Sequence, residues 1–101
     1  MPKNMDFEND FHHRYISFKK AKSDIDALDA EFKRFRGVLV SIQTFLQNSA
    51  HGGELTNKGF YVYKTKKQFE TPAFAVYYRY TQKHVDVYHI RLAEEELEDN
   101  D

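Results

Sequence analysis

Side chains able to act on a phosphate backbone gather in two stretches of this 101-residue chain, FYVYKTKK at 60–67 and AFAVYYRYTQKHVDVYHIRL at 73–92. In an extended chain, alternation puts Lys64 and Lys66 on one side with Val62, and Tyr61 and Tyr63 on the other. A two-residue turn at Gln82 and Lys83 sets Tyr80 opposite Val85 and Arg79 opposite Asp86, a cross-strand pair of opposite charge. One face of that hairpin then carries Ala75, Tyr77, Arg79, Asp86, Tyr88 and Ile90, and the two lysines are assigned to the same face. Cations hold phosphates and flat rings stack on unpaired bases, so such a face suits single-stranded nucleic acid. The plainer account of the tyrosines is packing, with the ring half buried and the hydroxyl in water. His89 falls on the opposite face with Val85 and Val87, as a packed or rim histidine whose proximity to Tyr88 also suits a general base.

The remaining histidines carry no metal pattern. His12 and His13 are adjacent and point apart on a strand, His51 lies in a glycine-rich loop and His84 in a turn, so neither a metal nor a cofactor is expected. No cysteine is present, which excludes disulfides and a thiolate nucleophile and fits a reducing compartment. The net charge of -1 removes any case for nucleic-acid binding by the chain as a whole and leaves only segregation of charge between faces. Lys33, Arg34 and Arg36 are one such cluster, open to nucleic acid or an acidic partner, or simply a solvated helix end.

The elements that must carry these residues follow from periodicity. Residues 1–10 are polar and read as a flexible arm, 11–93 as a single domain, and 94–101 as an acidic tail. Phe11 to Phe18 reads as a short strand. Ala21, Ile25, Leu28 and Phe32 recur at helical spacing, with Asp24 and Asp29 off that face in solvent, and Ser23 with Asp26 resembles a capping box. Phe35, Val38, Leu39, Ile42, Phe45 and Leu46 form a second helical set, with a break predicted around Arg34 to Gly37. Three β-rich runs follow, Phe60 to Thr65, Ala73 to Tyr80 and Val85 to Leu92, with Phe74, Val76, Tyr78, Tyr80, Val85 and Val87 as the core face. The expectation is an α+β fold: an antiparallel sheet of about four strands with an α-hairpin packed on one face, in the order β-α-α-β-β-β. No apolar run approaches the roughly 18–20 residues that span a bilayer, and a cytoplasmic protein without membrane contact is expected.

This order of elements, carried by RYISFKKAKSDIDAL, FYVYKTKK and AFAVYYRYTQKHVDVYHIRL, resembles the RelE/ParE family of toxins from bacterial toxin-antitoxin modules. The resemblance implies a metal-independent endoribonuclease that cuts mRNA on the ribosome, or a poison of DNA gyrase, in either case held by a cognate antitoxin-like protein; a homodimer is a further expected partner state. It implies that Lys64, Lys66 and Arg79 bind phosphate and that Tyr88 or His89 assists proton transfer. The pattern departs from the family at Ala75, where ribonuclease members carry arginine after an aromatic, and at the acidic end RLAEEELEDND. The alternatives are a non-catalytic interaction module of the same fold and a single-stranded nucleic-acid binder.

Overall fold

The computed structural model describes residues 14–68 and 70–95. They form an α+β fold whose elements are β1 (Tyr15–Ser17), α1 (Lys22–Glu31), α2 (Phe35–Ser49), β2 (Glu54–Leu55), β3 (Tyr61–Lys64), β4 (Phe74–Tyr80) and β5 (His84–Leu92). Single 3-10 turns occupy Lys19–Ala21, Ala50–Gly52 and Ala93–Glu95. The expected N-terminal arm and residues 96–101 of the expected tail lie outside the described residues.

The sheet has five strands in the order β1-β5-β4-β3-β2 and is mixed, which corrects the expectation of about four antiparallel strands in the order β-α-α-β-β-β. β1 runs parallel to β5, with Tyr15, Ile16 and Ser17 against His84, Val85 and Asp86. No hairpin joins these two strands, so nothing local sets their relative direction. The additional strand, β2, pairs antiparallel with β3 through only two residues, too short for alternation to reveal it.

The expected hairpin register is present: Arg79 faces Asp86, Tyr80 faces Val85, and the Thr81 N–H donates to the His84 carbonyl at 2.8 Å. Further along, β5 carries one extra residue. Tyr78 pairs with Val87 but Tyr77 pairs with His89, so Tyr88 is a β-bulge. Beyond it the faces exchange: Ile90, expected on the mixed face, is buried in the core, and His89, expected with Val85 and Val87, lies opposite Tyr77 on the other face.

Both helices cover one face. Leu28 of α1 and Phe35, Ile42 and Leu46 of α2 join Phe74, Val76, Tyr78, Val85, Val87 and Ile90 in a single core. The break between the helices comes slightly earlier than expected, at residues 32–34, and Gly37 lies inside the first turn of α2. The proposed capping box is not made: α1 starts at Lys22 without a side-chain cap, and Asp26 pairs with Lys22 at 2.9 Å.

Tyr78 ties the end of α2 to the sheet, donating its hydroxyl to the Ala50 carbonyl. A Cβ at Gly53 would overlap that hydroxyl and come within 3.1 Å of the Val62 carbonyl oxygen, so close approach rather than backbone conformation requires glycine there. Burial pushes the Tyr78 phenol from 10.0 up to about 12, against the opposing effect of a hydrogen bond from the Gly53 backbone. The folded value lies above the unfolded one, so this stabilisation is complete below pH 10 and is lost as pH rises toward 12, a fall of up to about 2–3 kcal/mol. Urea unfolding between pH 8 and 12 should therefore show an alkaline drop that shrinks in Tyr78→Phe. An equally steep drop in that variant would assign it to other groups. Tyr80 is raised in the same direction, first by its own burial and then by Tyr61.

Candidate functional site

The helix-free face of the sheet is built on β3, β4 and β5. Its floor is a small second core of Val62, Ala75 and Tyr77, covered by Phe60 from the segment before β3. Tyr77 is only 1% exposed, so it cannot offer its ring to a base as the sequence suggested. The stacking role narrows to Tyr88, which is half-buried.

Arg79 lies opposite Asp86 in the ladder, yet its guanidinium sits 4.6 Å from the Phe60 ring centroid and 5.3 Å from that of Tyr88. An arginine stacked between rings keeps its planar edge of N–H donors free to meet a phosphate. Lys20, in the turn after β1, lies over the Tyr88 ring at 5.3 Å. The bulge therefore gathers two cations around one aromatic ring.

His89 completes this cluster. Its ring meets Phe60 edge-on at 6.1 Å and Tyr77 at 6.4 Å, and its side chain remains 37% exposed. Nδ1 lies 3.7 Å from Asp24 Oδ2, which also accepts the Ile90 N–H at 3.1 Å. β1 ends opposite Asp86, so the edge of β5 beyond it needs another acceptor for its backbone, and α1 brings Asp24 there. The carboxylate, read from the sequence as solvated, is thereby fixed at the sheet edge facing the imidazole. At 3.7 Å the carboxylate is a nearby charge on the Nδ1 side rather than a hydrogen-bond partner, and Nε2 is the nitrogen on the other side of the ring.

Of the five residues singled out in sequence, Arg79, Tyr88 and His89 come together, and Lys64 lies on the same face of neighbouring β3, opposite Ala75. Lys66 does not join them. β3 stops at Lys64, and Lys66 turns to the helix side, where it lines a cleft with Arg34 and Ser41. Alternation was projected onto residues that are no longer extended in a ladder. Lys20 and Asp24 carry no periodic signal toward this face, and only the β1–β5 pairing brings them in; Phe60 shares the side of Val62 and Lys64 by the same alternation.

Among the described residues, no group of three or more His, Cys, Asp or Glu side chains is arranged to hold a metal ion, and no helix is long and apolar enough to cross a membrane. Comparison with protein-family models, with curated proteins and with solved structures finds no match for this chain.

Proposed function

We propose that this chain is a RelE/ParE-like toxin component of a toxin-antitoxin module, acting in the cytoplasm as an endoribonuclease on the helix-free face of its sheet. The observation that supports this most directly is the Asp24–His89 contact beside Arg79 and Tyr88 on one face. RNA carries its own nucleophile, the 2′-hydroxyl. His89 takes the proton of that hydroxyl through Nε2, and the Asp24 charge on the Nδ1 side favours the imidazolium that forms. The 2′-oxygen attacks the adjacent phosphorus, the bond to the 5′-oxygen breaks, and Tyr88 returns a proton to the leaving oxygen. Arg79, with Lys20 and Lys64, carries the negative charge that builds on the phosphoryl oxygens. The products are a 2′,3′-cyclic phosphate and a 5′-hydroxyl, and no step requires a metal.

Reading the site this way gives Lys66 no part in the reaction. An antitoxin-like protein would act by covering Arg79, Tyr88 and His89.

Expression in a bacterial host should arrest growth, and purified protein should cleave ribosome-bound mRNA to leave cyclic-phosphate ends. Intact RNA both with and without ribosomes would overturn the nuclease reading; growth arrest accompanied by gyrase-dependent DNA breaks would assign a gyrase-directed toxin instead.

A further inference from the structure

On the helix side, a cleft of about 390 Å³ opens between the first turns of α2 and the segment joining β3 to β4. Its volume lies within the range of small-ligand sites. Arg34 and Lys66 line it together with the hydroxyl-bearing Ser41, Tyr63, Thr65 and Thr71, and no carboxylate does. Glu31 and Glu70 border an adjoining recess that shares Arg34, but among the described residues neither Arg34 nor Lys66 is held in an ion pair.

Three further features mark the cleft as built. Gln68 and Thr71 exchange both backbone hydrogen bonds, at 2.9 and 3.0 Å, which fixes one wall. The Thr65 hydroxyl accepts the Phe74 N–H at 2.9 Å, so its own proton remains to be donated. Gly37 borders the cleft from the first turn of α2. Packing does not require it, since a Cβ there would meet nothing within 4 Å. Its missing side chain leaves that wall of the cleft open.

We propose that this cleft binds the phosphate of a nucleotide, held by Arg34 and Lys66 and by the hydroxyls around them, with Gly37 leaving room for its approach. The site is separate from the helix-free face and does not depend on cleavage there. Its phosphate has two sources, a free mononucleotide or an RNA strand. The strand is a natural source because Lys64 on the open face and Lys66 at the cleft are only two residues apart in the chain.

The test is an amide-shift titration of the full chain by NMR with inorganic phosphate, with a 5′-nucleoside monophosphate and with a short single-stranded oligoribonucleotide. Saturable shifts at Gly37, Val38 and Thr71 are expected. The double variant Arg34→Gln, Lys66→Gln should weaken them roughly 10- to 100-fold with an unchanged melting temperature, because both side chains are exposed. Gly37→Ala should weaken binding while leaving the fold at least as stable, an outcome that a merely structural glycine would not produce. Tighter binding of the mononucleotide identifies a free nucleotide as the ligand, and tighter binding of the oligonucleotide identifies an RNA strand. No saturable shift with any of the three probes, or equal affinity in the double variant, overturns the proposal.

Discussion

His89→Ala is expected to lower RNA cleavage about 100- to 10,000-fold, the usual contribution of a positioned acid-base group, and to leave the protein folded. The imidazole is more than one-third exposed and its contacts are a carboxylate and ring edges, so removing it opens no core cavity. Asp24 separates catalysis from positioning. Asp24→Asn keeps an oxygen for the Ile90 N–H but removes the negative charge facing Nδ1, so a smaller loss of rate and an altered pH-rate profile should result. Arg79→Lys keeps the charge and loses the planar fork, and should impair cleavage more than a charge count predicts. Single-turnover cleavage of ribosome-bound mRNA, read alongside circular dichroism of the free protein, checks all three. Full activity in folded His89→Ala would remove the histidine from the reaction and, with it, the main support for a nuclease.

Phe74→Ala should be the most damaging single change to the fold, costing about 3–5 kcal/mol. Phe74 is fully buried at the start of β4, and its ring meets those of Phe32 and Phe35 edge-on at centroid distances of 5.6 and 5.2 Å. Phe32 caps the end of α1 and Phe35 opens α2, so one ring holds both helix ends onto the sheet. Packed rings of this geometry resist collapse into the space left by a missing neighbour, which places the cost at the upper end of the range. A domain of this size has about 5–15 kcal/mol in hand, so most of its margin would be lost. Chemical denaturation measures it; a loss below about 1 kcal/mol would mean that the helices are held elsewhere. Phe45→Ala serves as the comparison, since Phe45 stacks on Tyr63 at 3.8 Å but is only partly buried.

Local pattern and tertiary context divide the explanation of this molecule between them. The hairpin of β4 and β5 was legible because a short turn propagates a fixed pairing: Arg79 meets Asp86, and the residues expected to form the core face from Phe74 to Val87 do so. The two helices were legible for the same reason, as their apolar residues recur at steps of three and four. The bulge was not. One unpaired residue at Tyr88 carries no mark in the sequence, yet it reverses every side chain after it and moves His89 from the core face to the face of Arg79. Lys66 erred in the opposite direction, because alternation was extended past the point where β3 stops.

The chain alone determined its longer elements and their apolar faces, through contacts between residues close in sequence, and it gathers six of its seven tyrosines after residue 60. Tertiary structure decided the parallel docking of β1 on β5, the arrival of Asp24 beside His89 and the separation of Lys66 from Lys64. Those are settled by which distant backbone group still needs a partner and by where a strand ends, and neither quantity exists until the sheet has assembled.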